Sequence, residues 1–169
     1  MAIEQALKLY KSGMYGGKFM PMHLGHLYCL ERASKLCETV YLILFYGGKQ
    51  ETDILKHDHR SFLSLDFRKK QIMIAASYFP NVIPKIIDVS ECFNPDGSEN
   101  WDKETPLVLN TCGKFDAVFG SESDYREYFT RAYPWADYII VDSAREEVPI
   151  SATKIRKIND IKEIKKWLV

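Results

Sequence analysis

The stretch "GGKFMPMHLGH", Gly16–His26, follows a short apolar run and brings glycines, a proline, a lysine and two histidines to one place. Gly16 and Gly17 suit the end of a strand, where a missing side chain lets a phosphate or ribose approach the backbone. Pro21 stiffens the turn that follows. Gly25 offers the same clearance at the start of a helix, whose free N–H groups and positive dipole end form an anion site. His23 and His26, one turn apart, can both face that anion. A metal half-site or a pair of plain helix caps is the duller alternative. The strand, the paired glycines, Lys18 and the proline favour a nucleotide phosphate.

Working outward, apolar strand-like runs alternate with segments of helical period, the pattern of a parallel sheet. The candidate strands are Ser12–Phe19, Thr39–Phe45, Asn81–Val89, Phe115–Ser121 and Asp137–Asp142, several of them apolar almost throughout, as strands covered on both faces should be. Leu27, Leu30, Ala33 and Leu36 recur at helical spacing between the first two strands. A second helix is expected over Ser64–Phe79, with Ser64 and Asp66 at its start, Leu65, Ile72, Ala75, Ala76 and Phe79 as its buried stripe, and Pro80 blocking its continuation. Further helices are expected at about Lys103–Cys112, Ser123–Arg131, Ser151–Ile158 and Ile161–Leu168, and "MAIEQALKLYK" at the amino terminus suits a short extra one. The expected fold is α/β: a doubly wound, Rossmann-like five-stranded parallel sheet with helices on both faces, in one domain over residues 1–169. Its ligand belongs beyond the carboxyl ends of the strands, where the winding reverses.

Bulk properties narrow the function. Lys plus Arg and Asp plus Glu each number 23, so no net field draws the chain onto nucleic acid or an anionic membrane, and any anion must be held locally. Cys29, Cys37, Cys92 and Cys112 are far apart and without a C-x-x-C pair, which fits reduced, mostly buried thiols better than a metal site or a disulfide framework. No apolar run approaches the roughly 20 residues of a membrane span, and the first residues lack a signal-peptide pattern. A cytoplasmic protein is expected.

"GKFMPMHLGH" resembles the H-x-G-H motif of the nucleotidylyltransferase superfamily, and "ISATKIR", Ile150–Arg156, resembles its second motif, I-S-x-T-x-I-R, about 125 residues further on. The second motif also has a reading of its own. Ser151 is a good N-cap, Thr153 sits in the first turn and Arg156 falls one turn on, so hydroxyls, N–H groups and a guanidinium can converge on phosphate. The alternative is a capped surface helix with a solvated arginine. The resemblance implies transfer of a nucleotide monophosphate from a nucleoside triphosphate with release of pyrophosphate. It implies that Gly17, Lys18, Phe19, His23, Gly25, His26, Ser151, Thr153 and Arg156 bind ATP, with His23, His26, Lys18 and Arg156 acting in catalysis. Magnesium accompanies the triphosphate, with no metal site built by the protein itself.

The nucleoside end of ATP is expected near "FGSESD", Phe119–Asp124, where Gly120 gives clearance and Ser121 begins the next turn; Glu122 and Asp124 could equally be an acidic first helical turn. The form of the first motif is more similar to the archaeal and bifunctional bacterial nicotinamide mononucleotide adenylyltransferases than to the G-x-F-D-P form of the phosphopantetheine enzymes, because Met20 follows Phe19. "VDSAREEVPISATKIR" resembles the strand end, basic residue and second motif of the bifunctional enzymes, and "ENWDKE" places Trp101 and Asp102 where they carry a Trp-Asp pair. A tryptophan face can stack on a cationic nicotinamide ring; a tryptophan at a helix start capped by Asp102 is the competing reading. Arg68 resembles a helix arginine that reaches the acceptor's phosphate, against the default of a solvent-facing charge. "HDHR", His57–Arg60, invites a metal reading, with a solvated loop able to cover the site as its rival.

These resemblances lead to an expected enzyme of NAD biosynthesis that joins ATP and nicotinamide mononucleotide. The alternatives are a sister transferase using phosphopantetheine, FMN, or CTP with a choline or glycerol phosphate, and a nucleotide-binding protein without turnover. The bifunctional bacterial proteins continue into a P-loop kinase, but no G-x-x-x-x-G-K-[ST] occurs here, so kinase activity is not expected. Small-molecule substrates, no nucleic acid, no membrane and a homo-oligomer of the kind common in the superfamily complete the expectation.

Overall fold

The structure, a computed structural model, describes residues 7–169. Most of the helix expected at the amino terminus therefore lies outside the described residues, and Tyr10 and Lys11 already belong to the first strand. The strands are β1 (Tyr10–Gly17), β2 (Cys37–Tyr46), β3 (Val82–Asp88), β4 (Ala117–Gly120) and β5 (Asp137–Ile140). The helices are α1 (Leu24–Leu36), α2 (Lys49–His57), α3 (Leu65–Ser77), α4 (Glu104–Cys112), α5 (Arg126–Ala132), α6 (Ala152–Arg156) and α7 (Ile161–Lys165). All strands are parallel in the order β3-β2-β1-β4-β5, with Tyr10 opposite Cys37 and Gly17 opposite Leu44 in the central pair. The chain winds outward from β1 to β3, then crosses to β4 on the other side of β1. The winding reverses between β1 and β4, so the sheet is doubly wound as expected.

Side-chain alternation along the strands sorts the core into two layers. Tyr15, Leu42, Leu44 and Phe119 pack with Leu30, Ala33, Ile72 and Ala75 of α1 and α3 on one face. Met14, Ile43 and Val118, one residue out of step, pack with Val108, Cys112, Phe115 and Tyr133 on the face of α4 and α5. This is why the strand sequences are apolar on consecutive positions. A third cluster, Met20, Phe62, Leu63, Ile150, Ile155 and Ile164, packs α6 and α7 beside the turn that leaves β1. All four cysteines are free and buried, as their spacing predicts. Among the described residues no helix is long and apolar enough to cross a membrane.

The boundaries of β1 shift by two residues from expectation, because Phe19 leaves the strand with a positive φ of 49° and turns its ring into the core. Ser64 caps α3 by accepting from the Phe67 N–H at 3.2 Å, as expected. The helix α2 occupies a segment with no expected element. Arg68, expected either on the acceptor phosphate or in solvent, is in neither place: its side chain is 0% exposed. Its guanidinium pairs with Glu51 of α2 and donates to the carbonyls of Leu63 (3.0 Å) and Lys18 (3.1 Å). Gln71, one position short of a helical turn beyond it, accepts from the Met22 N–H (3.1 Å) and donates to the Met22 carbonyl (2.9 Å), so α3 fixes the backbone on both sides of the β1–α1 turn.

Removing one partner of a buried ion pair leaves an uncompensated charge, which costs about 3–5 kcal/mol. Arg68→Met should therefore lower the unfolding free energy by roughly that amount in urea titrations, with the Glu51→Gln/Arg68→Met double variant regaining part of it. A loss under about 1 kcal/mol in the single variant would contradict this account of the pair.

A candidate active site at the strand ends

His23 is the N-cap of α1. Its Nδ1 accepts from the Gly25 N–H at 3.0 Å, while the Nδ1 of His26 accepts from the His23 N–H at 3.0 Å, a reciprocal capping box built from two imidazoles. The rings stack with centroids 3.7 Å apart. Since both Nδ1 atoms accept, the neutral rings carry their protons on Nε2. Burial, reinforced by the Arg145 guanidinium, lowers His23 to about 4. Burial, His23 and Arg145 together hold His26 well below the usual histidine range. At neutral pH the pair is uncharged and offers two N–H donors. Gly25 serves this arrangement directly: a Cβ there would meet the His23 ring at 2.8 Å. The space expected for a phosphate at Gly25 is filled by an imidazole, and a Cβ on Gly120 would likewise come 2.6 Å from the Tyr138 hydroxyl.

The second motif comes to the same place. Ser151 caps α6 through the Lys154 N–H at 3.2 Å, and the Arg156 guanidinium donates to the Met20 carbonyl (2.7 Å) and the Thr153 hydroxyl (3.3 Å). "HDHR" contributes Arg60, which forks onto Asp58 and donates to the carbonyls of Arg156 (2.5 Å) and Ile158 (2.7 Å), capping the end of α6. It is an anchor for the second motif. His23, His26, Ser151, Thr153 and Arg156 line one cleft of about 350 Å³ together with Gly17, Lys18, Phe19, Gly25, Gly120 and Ser121. Arg145 lines it too. It is the basic residue of "VDSAREEVPISATKIR", for which the sequence alone suggests no place in the site. The signal it lacked is Asp142, whose carboxylate accepts the N–H groups of Glu146, Glu147 and Val148 and shapes the loop that presents Arg145.

The other end of the cleft has a different chemistry. Trp101 stands against the rings of Tyr125 and Tyr128 at 5.2 and 5.3 Å, with Met14, Phe45 and Val108 nearby in the lining. Lys18 reaches Gln50 Oε1 at 3.1 Å and Glu99 Oε2 at 3.7 Å, and so stands between the two ends. Glu104 lies beside Glu99, and burial together with that neighbouring carboxylate pushes it up to about 8. Asp102, expected to accompany Trp101 in the site, is exposed and pairs with Arg131 at 3.0 Å; it lines, with Trp101, Glu99 and Tyr128, a shallower pocket beside the cleft. Asn100 supplies the cap expected of Asp102. Neither Asp102 nor Arg68 lines this cleft. Among the described residues no group of three or more His, Cys, Asp or Glu side chains is placed to hold a metal ion.

The cytidylyltransferase-like family matches residues 14–158, and the chain belongs to this nucleotidylyltransferase family. It is 26% identical to the phosphopantetheine adenylyltransferase of Streptococcus pneumoniae over 148 residues, covering 88% of this chain and 83% of that one. In structure it is similar to the NadR protein solved with NAD and AMP-PNP, with a TM-score of 0.63 at 22% identity over 96% of this chain and 45% of that one. It is also similar to a bifunctional NMN adenylyltransferase/ADP ribose pyrophosphatase from Francisella tularensis, with a TM-score of 0.60 at 21% identity over 88% of this chain and 41% of that one. The chain thus spans less than half of each of these two solved chains. The expected fold and family hold. The cleft opens at the β1–β4 switch point, beyond the carboxyl ends of the strands.

The depressed histidines have a consequence for stability. Between pH 6.5 and about 4 the unfolded chain binds a proton at position 23 that the folded chain refuses, so stability rises with pH through that window and falls as pH drops. For His23 the full difference corresponds to roughly 3 kcal/mol. His23→Asn keeps a capping side chain and removes the titration. Urea midpoints measured from pH 7 to pH 4 should fall less steeply for the variant than for the parent, and parallel curves would refute this assignment.

Proposed function

We propose that the protein transfers the adenylyl group of ATP to nicotinamide mononucleotide, forming NAD and pyrophosphate. The observation that carries this reading is the composition of the single cleft. One end gathers a helix N-terminus, two neutral imidazole donors and the guanidiniums of Arg145 and Arg156; the other is walled by Trp101. The first end suits a polyphosphate and the second suits a flat cationic ring.

In the proposed reaction an oxygen of the mononucleotide's phosphate attacks the α-phosphorus of ATP. The bond from that phosphorus to the bridging oxygen breaks, and pyrophosphate leaves with its electron pair. No covalent enzyme intermediate forms. The Nε2–H groups of His23 and His26 donate to phosphate oxygens, and Arg156, with Thr153 and Ser151 on the same short helix, stabilises the charge that grows on the leaving group. Lys18 bridges the donor and acceptor phosphates. Gly120 and Ser121, at the end of β4, face the nucleoside. Magnesium comes as part of the ATP substrate and offsets phosphate charge.

The similarity to the Streptococcus pneumoniae enzyme over most of the chain supports phosphopantetheine as a second acceptor. Pyrophosphate release measured with ATP or CTP against nicotinamide mononucleotide, phosphopantetheine, FMN and choline phosphate separates these readings. ATP with the mononucleotide should give the highest rate. Release confined to CTP, or to ATP with phosphopantetheine, overturns the proposal, and ATP binding without turnover on any acceptor makes the protein a nucleotide sensor.

Arg156→Met should lower kcat/KM by about 30- to 1000-fold, the equivalent of roughly 2–4 kcal/mol for one oriented charge donor. Trp101→Ala should raise the KM for the mononucleotide about tenfold and leave that for ATP near its parent value. Equal effects on both KM values would remove Trp101 from the acceptor's end.

A further inference from the structure

The carboxyl pair at the tryptophan end has no role in the chemistry above. We propose that Glu99 and Glu104 are specificity residues, selecting an acceptor whose head group is cationic or carries N–H donors and rejecting one that ends in a carboxylate. This rests on the reading of the Trp101 end as the acceptor's.

The geometry carries the argument. Glu99 and Glu104 line the same cleft as the histidines. The side chain of Glu99 is 12% exposed, and it nests against the bare backbone of Gly48, where a Cβ would come 2.7 Å from its Oε1. The Oε1 of Glu104 is buried from solvent and has no hydrogen-bond partner. A buried acceptor oxygen without a donor is rare in folded proteins, and its unmet bond is satisfied once a ligand brings an N–H to it. The surrounding donors are engaged elsewhere. The Tyr128 hydroxyl donates to the Trp101 carbonyl at 2.8 Å, and Lys18 is shared between Gln50 and Glu99. Burial and the neighbouring Glu99 carboxylate favour a proton on Glu104, and with that proton shared toward Glu99 the unpartnered Oε1 is left as an acceptor. Nicotinamide mononucleotide brings a cationic ring and a carboxamide NH2 to such a site. Nicotinic acid mononucleotide brings the same ring with a carboxylate, which must face the Glu99 carboxylate and the acceptor oxygen of Glu104.

The two mononucleotides differ in that one group alone, so the comparison is direct. Steady-state kcat/KM should favour the amide over the acid by about tenfold or more in the parent protein. Glu104→Gln and Glu99→Gln each give the pocket an amide that can donate to a carboxylate, and each should shrink the ratio by roughly fivefold, chiefly through the KM of the acid. A loss of folding would lower both activities together and leave the ratio unmoved. The parent comparison needs no variant. Comparable use of the two acceptors by the parent, or ratios unchanged in variants that keep the parent's activity toward the amide, overturns the role of the glutamates and leaves the adenylyltransferase reading standing. Turnover of phosphopantetheine with neither mononucleotide used overturns both.

Discussion

A guanidinium shut away from solvent has to be answered by its surroundings, and the answer Arg68 receives organises the mouth of the cleft. Its three partners come from three separate segments: Glu51 from α2, the carbonyl of Leu63 from the turn before α3, and the carbonyl of Lys18 from the exit of β1. Each partner is needed, because a buried charge left short of a bond is far costlier than a surface one. The pair fixes where α2 lies relative to the strand ends and holds the Lys18 backbone in the turn. Glu51 also accepts the Gly47 N–H, which binds the exit of β2 to the same centre. Gln71 extends the clamp to Met22, the residue before the first histidine, and also reaches the Val169 carbonyl. Next to it, the Leu24 N–H donates to the Trp167 carbonyl at 2.9 Å. The position of His23 is thus held from α3 on one side and from the final residues on the other.

This explains what could and could not be read from the residues. The β1–α1 turn was legible because its chemistry is local: glycines, a proline and a helix start within a few positions declare a turn without help from the rest of the chain. The alternation of strands and helices was legible because both faces of the sheet are covered. The helix α2 was not, since within "KQETDILKH" only Glu51 is buried and no apolar stripe marks it. Arg68 was misjudged for its charge, although its spacing of four to Ile72 and seven to Ala75 puts it on the buried face of α3. There the period was the better guide and the polarity misled. Asp102 shows the limit of adjacency: it stands beside Trp101 in sequence, but its carboxylate is engaged by Arg131 at the surface while Trp101 packs against Tyr125 and Tyr128.

The missed residues of the cleft share one property, which is that their meaning depends on partners far away in sequence. Arg145 acts on the histidines across more than a hundred residues, and Glu104 becomes unusual because folding buries it beside Glu99. A glutamate at the start of a helix reads as a favourable dipole partner, and α4 begins there. Only folding reveals that its side chain lines the cleft beside a second carboxylate.

The neutrality of the histidine pair bears on how an anion can be held without trapping it. Burial, together with the repulsion that two protonated imidazoles stacked at 3.7 Å would feel from each other and from Arg145, keeps the pair uncharged. Their Nε2–H groups still donate, while the formal positive charge resides on arginines anchored to backbone carbonyls. An anion entering between them changes the balance that holds the protons off: negative charge close to an imidazole raises its proton affinity, against the burial that lowers it. On the proposed function, phosphate binding and proton uptake are therefore coupled at this end of the cleft, and by reciprocity loss of the proton weakens the hold on the phosphate. Charge fixed on arginine cannot respond in this way, because the guanidinium stays protonated in either state. The stacked pair supplies the adjustable part of the grip and Arg156 the constant part.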